Sequence, residues 1–239
     1  MFNIISDMMK GRAMLLVVLL GVMLATSYVV AAEPGGAGVE SSTDKGEFPA
    51  PSPGSVSVES GNIYEVNIST NQSTYHWTGV YGNATGKLVL GDSSGDKMYE
   101  WTAVAKYVYF DDDSSINWGS LASVTCSDVE GVYGYLAGAS DSCSNTFTAT
   151  RNYDSDVTGD SVANAIAAQT YDDNGAAYWY TIAVGDGGTS DIVFVGETTG
   201  SSTHGAYNGV QANYQVILPE DGGDGDTTAA TYYIWIELY

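Results

Sequence analysis

Catalysis by a nucleophilic side chain needs a neighbouring base, and this chain of 239 residues offers two histidines for that role, His76 and His204. His76 lies within an alternating aromatic stretch, where a polar position on a strand is the simpler interpretation. His204 lies in a turn-like run at 201–205. The run GDSSG at 91–95 has the composition of a β-turn, and no histidine motif accompanies it. We therefore predict that the protein is not an enzyme.

A second kind of chemistry is metal binding by carboxylates. Asp154, Asp156 and Asp160 lie in the run DSDVTGD, which places three carboxylates around a glycine turn. Such oxygen ligands suit calcium, the one cofactor that the sequence suggests. The run lacks the terminal glutamate of an EF-hand loop, and the alternative is that turns simply favour Asp and Gly. Further acidic clusters lie at 111–113 and 221–226.

Two sets of residues predict covalent modification. Cys126 and Cys143 are the only cysteines, and in an exported chain such a pair is expected to form a disulfide. Asn67, Asn71 and Asn83 each begin an Asn-x-Ser/Thr sequon and are predicted glycosylation sites. Asn83 follows a glycine at a predicted turn and should be the best exposed of the three.

The charge of the chain excludes one class of partner. Seven Lys and Arg against 29 Asp and Glu give a formal net charge of -22. Nucleic-acid binding needs a basic face that displaces counterions, so we predict no nucleic-acid partner. An acidic surface suits a cell-surface or high-salt setting, and an ordinary acidic secreted protein is the alternative.

The elements that must position these residues are β-strands. Apolar residues alternate with polar ones in three stretches, 75–81, 87–90 and 98–101, which turns should join into a meander. A helix is expected only at 160–168, an Ala-rich run with a capping residue. Many short strands separated by Gly-rich turns indicate an all-β fold, a β-sandwich of the jelly-roll or immunoglobulin-like Greek-key type. The other predicted strands are 55–59, 63–69, 104–110, 146–151, 177–184, 192–195, 212–218 and 231–238.

The run WTGVYGNATG at 77–86 carries a resemblance to a known group of proteins. It resembles a W-x-G-x-Y-G-N-x-[ST]-G segment of secreted archaeal cell-surface and filament proteins, most of which have no assigned function. Pieces at 144–148, 215–220 and 232–238 extend the resemblance across residues 56–239. The resemblance implies an extracellular all-β domain and no catalytic residues.

The chain divides into three predicted regions: a hydrophobic leader at 1–32, a flexible linker rich in Pro, Gly and Ser at 33–55, and the β-sandwich domain at 56–239. Lys10 and Arg12 precede the apolar run of the leader, which favours a secretory signal peptide cut near Ala31 or Ala32. The alternatives are a retained membrane anchor and a pilin-type leader, cut near residue 11, whose helix stays in a filament core.

Export without an active site favours a structural role. We predict an extracellular, cell-surface subunit of a filament, pilus or sheath, a homo-oligomer or homopolymer that grows by β-strand addition from residues 48–69. A type IV pilin-like subunit with a retained helix is one alternative. The other is a surface module with glycan partners, in which Tyr178, Trp179 and Tyr180 with Trp118 form a stacking platform.

Overall fold

The computed structural model describes residues 33–49, 51–134, 138–220 and 229–239. The predicted leader, 1–32, and the acidic cluster at 221–226 lie outside these residues. The described strands, numbered β1 to β14, are Gly35–Gly36, Trp77–Gly82, Gly86–Gly91, Lys97–Ala103, Ala105–Asp111, Leu121–Ser123, Ala149–Asp154, Ser161–Tyr171, Ala177–Asp186, Ile192–Glu197, His204–Gly205, Gln211–Ala212, Tyr214–Pro219 and Tyr233–Leu238. The described helices are α1, Cys126–Tyr133, and α2, Cys143–Thr146.

One antiparallel sheet organises the fold, with strand order β1-β14-β5-β10-β9-β8-β7 and with β6 also pairing to β9. Its centre is the β5–β10–β9 triplet, where Phe194 of β10 lies opposite Phe110 of β5 and Ala183 of β9. These strands are apolar at nearly every position, as expected for strands covered on both faces. The predicted strands at 104–110, 177–184, 192–195 and 231–238 are confirmed.

Apolar side chains pack on both faces of this sheet. On one face, Phe110 and Phe194 pack with Val216 and Leu218 of the β2–β13 pair and with residues of the two helices. On the other face, alternate residues such as Val193 join a tyrosine-rich cluster. Antiparallel layers around a buried core confirm the predicted all-β sandwich class.

The helix predicted at 160–168 is wrong, because these residues belong to β8. β8 pairs with β7 on one side and with β9 on the other, and the two ladders override the weak helical preference of its alanines. Cys126–Tyr133 form α1, although the sequence predicted a helix only at 160–168. A capping box between Thr125 and Asp128 starts this helix, a local signal that the sequence already contains.

The predicted meander is only half correct. β3 and β4 form a hairpin, but β2 pairs with β13, so that Val80 lies opposite Val216. The short strand β1 lies within the predicted linker and pairs with β14, which ties this part of the chain to the edge of the large sheet. Between β1 and β2 none of the described residues is in a strand, so the strands predicted at 55–59 and 63–69 are wrong.

Candidate functional site

The most unusual surface of the molecule belongs to residues 51–76, here called the extended segment. Its side chains alternate between polar and apolar, yet much of the apolar surface is left uncovered: Ile63 is 100% exposed and Ile68 is 90% exposed. Val56, Val58 and Val66 are all more than half exposed. A pattern that normally buries one face of a strand is therefore presented to solvent.

The extended segment leaves the body of the protein and returns to it. Ser73 Oγ donates a hydrogen bond to the Phe48 carbonyl oxygen over 3.0 Å, which holds the two ends of the excursion together. At the tip, Asn62 N donates to the Glu59 carbonyl oxygen over 3.4 Å. Within the described part of the chain, this turn makes the one backbone-to-backbone hydrogen bond between residues 51 and 73. Glu59 N also donates to Tyr64 Oη over 3.0 Å, and none of the backbone groups there has a strand partner among the described residues.

A second exposed surface is the β3–β4 hairpin. Leu88 lies opposite Trp101 and Leu90 opposite Tyr99, so these four side chains share one face of the hairpin. Each of them is about half exposed, and the rings of Tyr99 and Trp101 lie 4.8 Å apart. This apolar face is uncovered.

The opposite face of the hairpin is ionic. Lys87 and Lys97 both contact Glu100, the latter over 3.2 Å. The hydrogen bonds from these two lysines hold the pKa of Glu100 below its ordinary value. The hairpin is thus an amphipathic ribbon with its charged groups already paired and its apolar groups not.

The hairpin also has two open edges. Among the described strands, β3 and β4 pair only with each other. Its base lies close to the large sheet, where a side chain at Gly86 would collide with Leu238 of β14. Two strands alone are marginally stable, and a free edge exposes backbone donors and acceptors that another strand can use. The hairpin is suited to accept a further strand.

The structure does not bring the predicted calcium ligands together. Asp156 pairs with Lys106 Nζ over 2.7 Å, and the backbone carbonyl of Asp154 accepts from the same nitrogen over 2.6 Å. Asp160 is buried and accepts hydrogen bonds from Gly119 N and Thr158 Oγ1, both over 2.8 Å. In the described ranges, carboxylates converge elsewhere, at Asp111, Asp112 and Asp191.

The disulfide prediction is confirmed, since Cys126 and Cys143 are bonded and join the first turns of α1 and α2. The three sequon asparagines are all exposed. Asn67 and Asn71 lie on the extended segment, and Asn83 lies between β2 and β3 with its amide 3.4 Å from the Gln211 carbonyl oxygen. Their occupancy by glycans stays a prediction.

The aromatic platform is only partly assembled. Tyr178, Trp179 and Tyr180 line a cavity of about 370 Å³, but Trp118 does not and packs instead against Tyr109 and Trp235. Trp179 is buried, so the tyrosines are the more accessible rings. The cavity is completed by Arg151, Glu197, Thr198, Thr199 and Ser202.

Each histidine lies beside a carboxylate, a contact that the sequence alone did not predict. His204 Nε2 lies 3.0 Å from Asp172 Oδ2, and its ring stacks on Tyr178 with centroids 3.8 Å apart. The hydrogen bond from His204 holds the pKa of Asp172 below its ordinary value. His76 Nδ1 lies 2.9 Å from Asp141 Oδ1. Both rings are therefore engaged with carboxylates.

Comparison with protein-family models, with curated proteins and with solved structures finds no match to this chain. In the ranges that the structure describes, no helix combines the length and the apolar character needed to cross a bilayer. The resemblance of residues 77–86 to archaeal surface proteins stays a prediction. Functional inference therefore depends on the geometry of the chain itself.

Proposed function

We propose that the protein is a structural subunit of an extracellular assembly, a filament, pilus or surface sheath, and that it has no catalytic activity. Copies associate through the extended segment of one subunit and the β3–β4 hairpin of the next. The observation that carries this proposal is the exposure of alternating apolar side chains along residues 51–76.

A contact that buries the apolar side chains of the extended segment against those of the β3–β4 hairpin would lower the free energy of both surfaces. Full burial of a Val, Ile or Leu side chain contributes about 1.5–3 kcal/mol, and the isolated subunit gains little of this at Ile63 or Ile68 and only part of it at Leu90. A strand added to an edge of the hairpin would also satisfy the backbone groups of both partners. Because donor and acceptor are different surfaces, the contact is head-to-tail, and it propagates as a fibre when the rotation between neighbouring subunits does not close into a ring.

The donor is a loop and not a free tail. β1 holds the chain on one side, and the Ser73–Phe48 hydrogen bond closes the excursion on the other. Each arm of the loop has about 12 residues and can reach roughly 40 Å when extended. This reach allows contact with a neighbouring subunit while the donor stays attached to its own body.

Removal of the loop tests the proposal directly. Because Phe48 and Ser73 are already within hydrogen-bonding distance, residues 49–72 can be replaced by a short Gly-Ser link without moving β1 or β2. We expect the shortened protein to fold and to stay monomeric by light scattering, whereas the full chain forms filaments by electron microscopy. A peptide of residues 51–73 should cap growing filaments of the full chain. Normal filaments from the shortened protein would refute the proposal.

The mass that the protein loses when its leader is processed distinguishes a subunit exported with a cleaved signal peptide from a pilin-like subunit that keeps its apolar helix. Cleavage near Ala31 or Ala32 would remove about 3 kDa from the intact mass after deglycosylation, as for a secretory signal peptide. A loss of about 1 kDa would indicate pilin-type cleavage near Gly11 and a retained apolar helix. Mass spectrometry of the secreted protein gives the answer.

A second candidate function is a surface module that binds a carbohydrate or another small ligand. The observation that favours it is the cavity beside Tyr178, where Arg151 and Glu197 form a bidentate pair with Nη2–Oε2 at 2.7 Å. In addition, Trp179 Nε1 is buried and has no hydrogen-bond partner among the described residues. Paired charges and accessible tyrosine rings suit a polar ring ligand.

A glycan array separates the two functions. A chain that stays monomeric at high concentration, and whose binding of a defined glycan is lost in Tyr178→Ala, would replace the assembly proposal. Tyr171→Ala is a matched control, because that tyrosine is also exposed but does not line the cavity.

A further inference from the structure

Acidic residues from three strand ends meet at one end of the large sheet. β10 is antiparallel to both β5 and β9, so the end of β5, the start of β10 and the end of β9 lie side by side. Asp111 closes β5, Asp191 precedes β10 and Asp186 closes β9. Asp112 follows directly after β5.

Three of these residues converge on one point. Asp111, Asp112 and Asp191 each offer a carboxylate oxygen, and these oxygens lie within 4.8 Å of one another. Asp112 is exposed and Asp191 half-buried, so the group is open to solvent on one side. Asp186 lies nearby but is engaged, since both of its oxygens accept from Asn117 N over 2.9 to 3.0 Å.

Asp111 is the unusual member of the group, because it is fully buried, with 0% of its surface exposed. Its Oδ1 accepts a hydrogen bond from Asp113 N over 2.8 Å. Its Oδ2 is buried and has no hydrogen-bond partner among the described residues. An unpaired buried carboxylate oxygen is costly, and it lies where two further carboxylates converge.

In the part of the chain that the structure describes, no basic side chain forms an ion pair with these carboxylates. Burial, with Asp191 and Asp112 among the contributing neighbours, raises the pKa of Asp111 to about 8, and burial together with Asp186 also raises the pKa of Asp191. Four of the described basic residues are paired with carboxylates at other sites: Lys87, Lys97, Lys106 and Arg151. Within the described ranges, the group therefore lacks the positive partner that buried carboxylates normally have.

We propose that Asp111, Asp112 and Asp191 bind a calcium ion. Calcium–oxygen distances of about 2.3–2.6 Å place ligands on opposite sides of one ion up to about 5 Å apart, which matches the spacing of these oxygens. A donor set made only of carboxylates suits a hard cation, and the open side leaves room for the water ligands that complete its coordination. The site is distinct from the acidic run at 154–160.

The ion would connect parts of the chain that are far apart in sequence. It binds the end of β5 to the turn between β9 and β10, where Asp186 N already donates to the Asp191 carbonyl oxygen over 3.0 Å. Because calcium would bind the folded chain and not the unfolded one, it should stabilise the fold by an amount that grows with the logarithm of its free concentration above Kd.

Calcium titration of the chelator-treated full chain tests the site. By calorimetry we expect one ion per chain with a Kd of about 10⁻⁴–10⁻³ M, the range of extracellular calcium modules. The melting temperature should rise with calcium and not with the same concentration of magnesium, which controls for screening of the chain's negative charge. Asp191→Asn and Asp112→Asn should each weaken binding by about tenfold or more, because affinity follows ligand charge.

Asp156→Asn is the matched control, since this exposed carboxylate belongs to the acidic run at 154–160. It should bind calcium as the unaltered chain does. Three results would overturn the proposal: no saturable binding up to about 10 mM calcium, an equal stabilisation by magnesium, or binding that survives in Asp191→Asn but is lost in Asp156→Asn. Both aspartates of the site chosen for substitution lie at least partly in solvent, so the variants are expected to fold.

Discussion

Two hairpins of this protein have similar sequences and opposite surroundings. β9–β10 and β3–β4 are both antiparallel, both rich in aliphatic and aromatic residues, and both joined by turns of Gly, Ser and Asp. In β9–β10 the side chains of Ile182 and Val195 are fully buried, whereas Leu90 and Tyr99 of β3–β4 are about half exposed. The first hairpin has β5 and β8 on its outer edges, and the second has no further strand in the described residues. A hairpin pattern therefore predicts local pairing, but its burial depends on distant strands.

The largest expected effect comes from truncation in the buried hairpin. Phe194→Ala should lower the free energy of unfolding by about 3–5 kcal/mol, because Phe194 is fully buried and its loss leaves a cavity. Trp101→Ala in the exposed hairpin should change it by less than about 0.5 kcal/mol in the monomer. Urea denaturation followed by circular dichroism compares the two. Equal losses would show that the exposed hairpin is covered within a single chain.

A smaller effect is expected from the disulfide, which stabilises the helical part of the layer beside β10. Cys143→Ser should cost about 2–4 kcal/mol, since the bond closes a loop with a sequence separation of 17 and restricts the unfolded chain. Reduction of the unaltered protein should reproduce the same loss in urea denaturation. Two free thiols in the unfolded, unreduced protein would contradict the bonded pair.

The comparison extends to charged residues, one in the large sheet that contains β9–β10 and one in the exposed hairpin β3–β4. Glu237 of β14 is buried and accepts from Tyr109 Oη, from Ser155 Oγ over 2.8 Å and from Asp156 N over 2.9 Å. Glu237→Gln replaces one acceptor oxygen by an amide donor and should cost about 1–3 kcal/mol in urea denaturation. Glu100→Gln on the exposed hairpin should leave the urea midpoint unchanged. A loss at Glu100 as large as that at Glu237 would contradict the contrast between the two regions.

The smallest effect on stability should accompany the largest effect on assembly. Ile63→Gln with Ile68→Gln should change the free energy of unfolding by less than about 0.5 kcal/mol, because both side chains are exposed in the single chain. Light scattering should show that this double variant no longer assembles. Ile63→Leu with Ile68→Val keeps the apolar face and should assemble normally. Assembly of the glutamine variant would exclude these side chains from the contact.

The sequence predicted the kind of structure well, but it predicted poorly which segments pair with one another as strands. Alternation and apolar runs predicted the all-β sandwich and the central strands, and the two cysteines predicted the disulfide. The same reasoning failed at β8, where alanines that favour a helix are held in a sheet by neighbours on both sides. It also failed at residues 55–69, where strand-like alternation has no strand partner among the described residues.

Local composition determined which segments of this protein can form strands, because side-chain alternation is a property of consecutive residues. Only the tertiary structure decided which strands meet, because pairing depends on backbone groups far apart in the sequence. β2 therefore pairs with β13 and not with its neighbour β3. In the same way, the run of aspartates at 111–113 was visible in the sequence, but the nearby position of Asp191 was not. Antiparallel pairing of β5 with β10 places that carboxylate beside Asp111, and local propensity contains no information about it.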